Sequence, residues 1–581
     1  MPHIESELAA DHRIVIRRRT TVLMVVVLLA LGGLSVRLVQ VQILMADRLR
    51  EIALRQQIAT LTLEPHRGRI FDRSGRPLAV NVETTSIYAV PSLIRDPRAF
   101  AGRIAPAVGV STAEIERRLA GGGKYFAWVA RKVTPEVVAR VNSLELGDQI
   151  GVLTEDRRAY PNGSLAAHVL GFVGIDNQGL GGVELAYDEV IRGRAGRAVA
   201  ERDGVGRVLV DTRRVVEIPQ NGADLVLTID QVVQHIAERE LDKALQQTRA
   251  ANGLVIVMDP TSGDILALAV RPVFDPNAGG RARPERWLNR ALAATYEPGS
   301  TFKIFTAAAA LDSGKVSADD RFMCSPSLRV PGNHIIRNAE RVRPGWQTVS
   351  DAVKNSCNVA IAQIATKLGK ETFDRYIRTF GFGRLSGVDL PGEVQGIVPP
   401  TSAWLGPGLQ TISFGQGIGV TALQLLTATT AFANDGTPVR PHVLRAVRDS
   451  EGRVVKAVGA EPLEQAVSAQ TAGAVLQMMT RVVAEGTGTQ AAIAGYLVAG
   501  KTGTAQKPSP SGGYAPGRYI ASFLGIVPAD TPKLAVLVVL DEPRGVYYGG
   551  AVAAPVFREV ASQTLWYLRI PPAKRLRSTG N

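Results

Sequence analysis

The chain has 581 residues, of which 45% are hydrophobic and 21% are charged, and it contains only two cysteines. This composition is typical of a globular protein with a large core, and the length predicts about three to five domains. A mainly disordered chain is excluded, and so are a disulfide-built scaffold and a cysteine-built metal cluster. The formal net charge of +14 favours an acidic partner, such as nucleic acid, anionic lipid or an anionic polymer, without choosing among them.

A single long apolar run near the N-terminus, Thr21–Val36, excludes a polytopic membrane protein. Because a bilayer needs a helix of roughly 20 residues, we expect a membrane anchor over residues 20–41, with Arg37 reaching the far surface. Four arginines precede the run: Arg13, Arg17, Arg18 and Arg19. The positive-inside rule therefore predicts a cytoplasmic tail over residues 1–19 and an exported remainder. A cleaved signal peptide is the alternative, and the absence of a small-residue cleavage site disfavours it.

The exported part divides by pattern near Pro219–Gly222. Residues 42–220 mix short strands and helices, beginning with a hairpin over Ile70–Val80 that turns at Asp72–Gly75. Residues 221–570 begin and end with apolar strands and have helices between them, which predicts an α+β domain whose antiparallel sheet is closed by both ends of the segment. Residues 571–581 form a basic tail with Lys574, Arg575 and Arg577. We expect this tail to be a solvated terminus.

Ser300 and Lys303 form the first pattern with chemical meaning. Pro298-Gly299 stops the preceding segment, and Ser300 then opens an alanine-rich helix on which residues three apart share a face. Apolar neighbours such as Phe302 and Phe305 are expected to desolvate Lys303 and lower its pKa. An uncharged lysine beside a serine hydroxyl is a base that activates a nucleophile. For this motif alone, the alternative to a catalytic role is a structural one, in which the serine is an N-cap and the lysine is exposed.

Two further motifs follow in the chain. Ser356-Cys357-Asn358 lies between two predicted helices, and an extended link would point Ser356 and Asn358 into the same cleft. Both residue types are also common helix caps. Leu497–Thr504 then combines an apolar strand with Lys501-Thr502-Gly503-Thr504, where glycine lets another group approach the backbone. The order Ser-x-x-Lys, Ser-x-Asn, Lys-Thr-Gly matches the trio of penicillin-binding proteins and β-lactamases.

Other patterns are weaker. Gly495–Thr502 matches a phosphate-binding loop, but its middle is an apolar strand, and the Pro- and Gly-rich residues after it cannot form the helix that such a loop needs. Gly415–Val420 precedes a capping box, Thr421–Gln424, and reads as a turn into a helix. We expect Cys324 and Cys357 to be free thiols, because a bridge would restrict the cleft. The scattered histidines predict no metal site, and no cofactor is implied.

With these motifs the chain resembles the class B penicillin-binding proteins, the monofunctional D,D-transpeptidases of bacterial cell-wall synthesis, over nearly its whole length. Arg67–Ala79 looks like the first motif of that family's non-catalytic pedestal. Arg158–Pro161, Ala167–His168 and Gly182–Glu184 look like its later motifs. The resemblance implies an anchor, a pedestal over residues 42–220 and a transpeptidase domain over residues 221–570. There is no room for the glycosyltransferase domain of the bifunctional class A.

The resemblance also implies roles for the motif residues. Ser300 would be the acylated nucleophile, Lys303 its base, Ser356 the proton relay and Asn358 the ligand of the donor amide. Lys501 and Thr502 would bind the substrate carboxylate, with Gly503 beside them, and the backbone N–H groups of Ser300 and Thr504 would form the oxyanion hole. Stem peptides would be the substrates, and β-lactams would trap Ser300.

Within the family, the compact length and Arg158–Glu184 resemble the septal branch of Gram-negative bacteria. The elongation branch, a D,D-carboxypeptidase, a β-lactamase and a non-catalytic penicillin-binding scaffold or sensor are the alternatives. The long pedestal disfavours a β-lactamase, which needs none. A membrane glycosyltransferase of the shape-and-division type and other division proteins are the expected partners, and nucleic acid is not. The resemblance places the protein in the inner membrane with a periplasmic catalytic domain.

Overall fold

The computed structural model describes residues 2–203, 208–278, 282–339, 345–509 and 512–572. The basic residues of the expected C-terminal tail, Lys574, Arg575 and Arg577, lie outside the described residues. The described chain is an α+β protein that begins with an apolar helix, as expected from the sequence.

The α-helices are, in chain order, α1 Pro2–Val39, α2 Ala46–Gln57, α3 Pro97–Val108, α4 Thr112–Gly121, α5 Pro135–Asn142, α6 Ala167–Leu170, α7 Gly182–Ala186, α8 Asp188–Ile191, α9 Gln231–Thr248, α10 Arg290–Ala293, α11 Lys303–Asp312, α12 Val349–Lys354, α13 Asn358–Leu368, α14 Lys370–Thr379, α15 Gly408–Ser413, α16 Ala422–Thr429, α17 Ala469–Glu485, α18 Gly549–Val552 and α19 Ala554–Tyr567.

The strands are β1 Ile58–Leu63, β2 Ile70–Phe71, β3 Pro77–Ala89, β4 Ala127–Val133, β5 Ile150–Ala159, β6 Gly196–Arg202, β7 Val208–Glu217, β8 Asp224–Leu227, β9 Asn252–Met258, β10 Ile265–Arg271, β11 Thr295–Tyr296, β12 Arg321–Cys324, β13 Ser327–Val330, β14 His334–Arg337, β15 Gly345–Thr348, β16 Val420–Thr421, β17 Leu444–Arg448, β18 Val454–Ala457, β19 Ala499–Pro508, β20 Tyr514–Val527 and β21 Leu534–Asp541.

The N-terminal helix is long and apolar enough to cross a membrane. The apolar stretch covers Arg13–Leu44, a span of 32 residues that begins before and ends after the expected residues 20–41. Its last turn, Gln40–Leu44, is π-helical, and α2 continues beyond it. The apolar side chains of this span are exposed to their surroundings, Val22 by 63% and Leu29 by 71%. Such a surface is expected of a helix that contacts lipid.

The chain folds into two compact units. The smaller unit comprises Met1–Glu64, Ser86–Leu153 and Ala195–Gln220, and the larger unit comprises Pro65–Thr85, Thr154–Arg194 and Asn221–Asn581. The chain thus crosses between the two units several times, whereas the sequence predicts a single boundary near residue 220 between the pedestal and the transpeptidase domain. That boundary remains a prediction. The smaller unit contains the sheet β1-β6-β7 and a separate core.

The centre of the larger unit is a five-stranded antiparallel sheet of order β10-β9-β21-β20-β19. Strands from both ends of residues 221–570 meet in it, as the sequence predicts. Both faces are buried, because alternate residues of β9 belong to two different cores: Leu254, Ile256 and Met258 to one, Val255 and Val257 to the other. Helices α9 and α19 cover one face, and α11 packs in the core of the opposite face. Burial on both faces explains the uninterrupted apolar runs.

A buried charge cluster in the larger unit joins three of the four motifs that resemble the family's pedestal. The Glu184 carboxylate accepts from Arg67 Nε and Arg158 Nε, each at 2.7 Å, and Tyr160 Oη lies 3.3 Å away. Arg67 Nη1 also donates to Asp188 at 2.7 Å. Glu184 is fully buried, and its two arginine partners are almost so. These motif residues are therefore structural partners of one another, since each charge is neutralised inside the protein.

We expect Glu184→Gln to lower the free energy of unfolding by about 3–5 kcal/mol, because two buried guanidinium groups lose their common counter-charge. Thermal or urea unfolding of the full-length protein measures this. The matched control is Glu451→Gln, which removes an exposed ion pair with Arg453 and should change stability by less than about 0.5 kcal/mol. Equal effects of the two substitutions would contradict the structural role of the cluster.

Candidate active site

Ser300 lies at the N-terminal end of the central helix of the larger unit. The expected helix begins as a 3₁₀ turn, Gly299–Phe302, and becomes α-helical at Lys303. Gly299 has φ +57°, and its N–H donates to Gly415 O at 3.0 Å. A Cβ on Gly415 would lie 2.3 Å from Gly299 O. The turn at residues 415–420, which the sequence predicts, therefore supports the serine segment and requires glycine at its start.

Lys303, the first residue of α11, is completely buried. Its Nζ donates to Ser356 O and to Asn358 Oδ1, both at 2.6 Å, and lies 3.1 Å from Ser356 Oγ. Burial, and then the nearby charge of Lys501, lower the pKa of Lys303 well below its usual range. The first two motifs of the sequence thus meet at one amine.

Ser356 and Asn358 reach that amine by a route that differs from the expected one. The link between α12 and α13 is not extended, because Ser356 has φ +58°, in the left-handed region. A serine in this conformation is strained, and the contacts of its carbonyl and hydroxyl oxygens with Lys303 hold it there. Asn358 is the first residue of α13, and its Nδ2 donates to Arg337 O at 3.0 Å.

The expectation of free thiols is wrong. Cys324, at the end of β12, and Cys357 form a disulfide, with their Cα atoms 6.4 Å apart. A bridge at this position does not restrict the cleft, because Cys357 is fully buried and caps α13, where its Sγ accepts from Ala360 N at 3.2 Å. The left-handed Ser356 turns Ser356 and Asn358 toward the cleft while Cys357 enters the core. The bridge therefore lies behind the site.

Lys501 lies on β19, the edge strand of the five-stranded sheet. It is completely buried, and its Nζ donates to Ser356 Oγ at 3.0 Å and to Thr502 O at 3.1 Å. Burial lowers the pKa of Lys501 to about 7. Ser356 Oγ therefore lies between the amines of Lys303 and Lys501. Residues 495–502 enter a strand that continues to Pro508. The helix that must follow a phosphate-binding loop is therefore missing at this position.

The hydroxyl groups of the two threonines after Lys501 have hydrogen-bond partners that the sequence did not indicate. Thr502 Oγ1 lies 2.9 Å from Thr487 Oγ1, and Thr504 Oγ1 accepts from Gly549 N at 3.0 Å. Because the Thr504 hydroxyl is the acceptor in this contact, the contact does not use its hydrogen, which can be donated to a ligand. Separations of 15 and 45 residues leave no local sequence signal for either contact.

Gly503, between these threonines, allows close packing rather than contact with a ligand. A Cβ at this position would lie 2.2 Å from Ser522 Oγ on the neighbouring strand β20. It would also lie 3.0 Å from Thr301 Cγ2, in the turn that contains Ser300. Glycine therefore allows the serine segment and the strand with Lys501 to approach each other.

These side chains surround an open cavity of about 890 Å³ in the larger unit. Ser300, Ser356, Asn358, Thr502 and Thr504 line it, whereas Lys303 and Lys501 lie buried behind this surface. Three tyrosines that the sequence analysis did not single out also line the cavity: Tyr519, Tyr547 and Tyr548. The rings of Tyr519 and Tyr547 stack with centroids 3.9 Å apart, and such a wall suits an apolar or flat part of a ligand.

The arrangement can perform nucleophilic acyl transfer. The hydroxyl of Ser300, at the N-terminal end of the helix, lines the cavity. The amine of Lys303, whose pKa is lowered, lies one turn further along the same helix. The second amine supplies positive charge behind two threonine hydroxyls that line the cavity, and this edge strand can therefore bind a carboxylate. Water is excluded from both amines, so their electrostatic effects are stronger than they would be in solution.

Burial of these lysines should reduce stability, since it disfavours their charged forms. We expect Lys501→Met to raise the free energy of unfolding at pH 7 by about 2 kcal/mol, because the buried amine is replaced by an apolar side chain of similar size. Lys501 has a lowered pKa in the folded state, so between about pH 7 and its unfolded value near 10.4 the unfolded state binds more protons. The wild-type protein therefore gains stability as pH rises through this window, and its difference from Lys501→Met shrinks.

Thermal unfolding of both proteins between pH 6 and 10 measures this difference. Lys533→Met, at an exposed position before β21, should change stability by less than about 0.5 kcal/mol at every pH. A Lys501→Met protein that is less stable than wild type at pH 7, or a difference that grows with pH, would contradict the cost of burial.

The sequence and the structure were compared with known proteins. Residues 253–562 match the penicillin-binding protein transpeptidase domain, and residues 62–227 match the penicillin-binding protein dimerisation domain. The chain is 37% identical to Stage V sporulation protein D of Bacillus subtilis over 549 residues, which cover 93% of this chain and 84% of the relative. It is 32% identical to peptidoglycan D,D-transpeptidase FtsI of Escherichia coli over 554 residues, covering 94% and 91% of the two chains.

Solved structures agree with these matches. Penicillin-binding protein 3 of Mycobacterium tuberculosis in complex with aztreonam superposes with a TM-score of 0.68 at 28% identity, over 88% of this chain and 98% of that one. A peptidoglycan synthetase of Bifidobacterium adolescentis gives a TM-score of 0.71 at 27% identity, over 89% and 98%. The arrangement of domains, the family match over more than half of the chain and relatives above 30% identity agree. The chain therefore belongs to the class B penicillin-binding proteins and is a serine-type peptidoglycan D,D-transpeptidase.

Proposed function

We propose that Ser300 is the acylated nucleophile of this transpeptidase and that Lys303 is its base. The observation that supports these roles best is the meeting of three distant motifs at two buried amines beside one cavity. We assign Ser356 to proton transfer and Asn358 to the donor amide. Lys501, Thr502 and Thr504 bind the terminal carboxylate of the donor, and Gly503 allows the close approach of their strand.

In the first step, uncharged Lys303 accepts the hydroxyl proton of Ser300 as the Ser300 oxygen attacks the carbonyl carbon between two D-alanines. The N–H groups of Ser300 and Thr504 stabilise the oxyanion. When this intermediate collapses, the bond to the terminal D-alanine breaks, and its nitrogen takes a proton through the Ser356 hydroxyl. That hydroxyl lies 3.1 Å from Lys303 Nζ and accepts from Lys501 Nζ at 3.0 Å, so it is adjacent to both possible proton sources.

In the second step, an amine of a neighbouring stem peptide attacks the ester carbonyl. The amine loses a proton to Lys303, the ester bond breaks, and Ser300 recovers its hydrogen. The products are an amide cross-link and the free enzyme, in which Lys303 is again uncharged. A β-lactam resembles the donor, and its ring opens in the first step without releasing a leaving group that could diffuse away.

We further propose that the cross-links are made at the division septum. The support is the resemblance of Arg158–Glu184 to the septal branch and the likeness to FtsI of Escherichia coli and Stage V sporulation protein D. In this proposal the first 19 residues are cytoplasmic, the N-terminal helix is a single-pass anchor of the inner membrane, and the catalytic part is periplasmic. The glycan strands come from a membrane glycosyltransferase of the shape-and-division type, together with other division proteins.

Acylation by a fluorescent penicillin tests the assignment of the nucleophile. We expect Ser300→Ala to abolish labelling, because no oxygen remains to form the ester. Lys303→Ala should slow labelling by about 10²–10⁴-fold, because the serine loses its general base. Ser313→Ala, at the other end of α11, is the control and should label normally. Labelling kinetics, with the modified residue located by peptide mass spectrometry, give the result.

Persistent labelling of the Ser300→Ala protein would place the nucleophile elsewhere, and a near-normal rate for Lys303→Ala would exclude Lys303 as base. A folded wild-type protein that does not label at all would favour a non-catalytic scaffold. If the labelled protein released D-alanine from a donor peptide without joining it to an added amine, a D,D-carboxypeptidase would be favoured.

Depletion of the protein in its own host tests the septal proposal. We expect cells that grow as filaments, because elongation continues while the septum lacks cross-links. Microscopy of cells complemented with wild-type or Ser300→Ala protein makes the comparison, and only the wild-type chain should restore division. Round cells would instead favour the elongation branch.

A further inference from the structure

Arg337 is a charged residue on the wall of the cavity that the proposed chemistry leaves without a role. It ends β14, is exposed, and lines the cavity together with Ile335 and Ile336 of the same strand. Among the described residues that line the cavity, none is acidic and Arg337 is the one with a formal charge. Arg337 therefore favours an anionic group on this wall of the cavity, in addition to the positive charge that Lys501 supplies from behind the threonine wall.

The position of Arg337 follows from a row of hydrogen bonds. Lys501 Nζ lies 3.0 Å from Ser356 Oγ, which lies 3.1 Å from Lys303 Nζ. Lys303 then donates to Asn358 Oδ1 at 2.6 Å, and Asn358 Nδ2 donates to Arg337 O at 3.0 Å. The side-chain amine of Lys501 and the backbone oxygen of Arg337 are thus the two ends of this row of hydrogen bonds. A carboxylate bound at Lys501 leaves the guanidinium of Arg337 available for a second anionic group.

The structure of the donor stem peptide indicates which of its residues lies beside Arg337. If Asn358 binds the amide that precedes the penultimate D-alanine, the residue before the two D-alanines leaves the catalytic centre beside Asn358. The backbone of Arg337 contacts the Asn358 amide directly, so its long side chain starts next to the point where that residue emerges. An arginine there suits a carboxylate, to which it can donate two parallel hydrogen bonds.

We propose that Arg337 selects donor stem peptides in which the side chain before the two D-alanines carries a free carboxylate. Donors whose side chain ends in an amine or an amide are disfavoured. This inference rests on the proposed roles of Ser300, Asn358 and Lys501, and it adds a specificity determinant to the same site.

Two penicillins made from 6-aminopenicillanic acid test the selection. They share a six-carbon acyl chain that ends in a carboxylate in the adipoyl compound and in a carboxamide of the same shape in the other. The second-order rate constants for acylation of the full-length protein in detergent are measured for both. We expect the ratio of the carboxylate to the carboxamide compound to fall about fivefold in Arg337→Gln and to fall further in Arg337→Glu. The wild-type ratio should also fall as salt is added.

The matched control is Arg329→Gln. Arg329 lies on β13 of the same hairpin, is exposed and donates to Asn333 Oδ1 at 3.0 Å, but it does not line the cavity. Its ratio should equal that of wild type. An unchanged ratio in Arg337→Gln, an equal slowing of both compounds, or the same change in Arg329→Gln would overturn the proposal. Failure of both compounds to acylate the wild-type protein would contradict the proposed function itself, and with it this inference.

Discussion

The hydrogen-bonded burial of Lys303 is the constraint on which the rest of the site depends. Its amine contacts the carbonyl and hydroxyl oxygens of Ser356 and the amide oxygen of Asn358, and none of its surface reaches solvent. A charged amine in this place would be repelled by Lys501 and deprived of water. The two lysines therefore compete for protons, and Lys303 is the one whose pKa is lowered by both effects. Two residues of one type thus differ in their tendency to carry charge because of their positions.

The surrounding fold makes this arrangement rigid. The helix that begins with Lys303 is buried along its length, with Phe302 and Phe305 in an aromatic cluster and four successive alanines that allow close helix packing. Gly415 and Gly503 bring neighbouring segments within distances that a side chain would prevent. Both lysines oppose folding, since each is buried at a cost. The large apolar core on both faces of the sheet offsets that cost, and the site keeps a geometry that solvent would otherwise disrupt.

The sequence predicted most of the site because its information is local. Three residues along a helix determine that Ser300 and Lys303 are neighbours, and the apolar residues around them predict the burial. The closing of the sheet by strands from both ends of residues 221–570 followed from apolar runs in the same way. The conformation of Ser356 did not follow, because a left-handed serine is held by the distant Lys303. The disulfide of Cys357 was missed for another reason, because its partner Cys324 lies on a strand 33 residues away and no local pattern shows that the bridge lies behind the cleft.

Other features had no local signal at all. Thr487 and Gly549 hold the hydroxyl groups of Thr502 and Thr504 across gaps that only the folded chain closes. Glu184 joins Arg67 and Arg158 in a buried cluster, although the sequence showed these residues only as separate motifs. Arg337 reaches the cavity because its strand ends beside Asn358, which no periodicity indicates. These contacts join elements that are distant in the chain, and no pattern within either element indicates them.

The charge of Lys303 in the free enzyme is the most direct test of this account. Nuclear magnetic resonance of protein labelled with ¹³C and ¹⁵N at the lysine Cε and Nζ atoms follows it as pH is varied, with Lys303→Met used to assign the signal. The account predicts that Lys303 titrates well below the ordinary range of lysine and that its pKa rises toward that range in Lys501→Met. A Lys303 that remains charged up to the usual pKa of lysine, about 10.4, would contradict it, since no uncharged base would then stand beside Ser300.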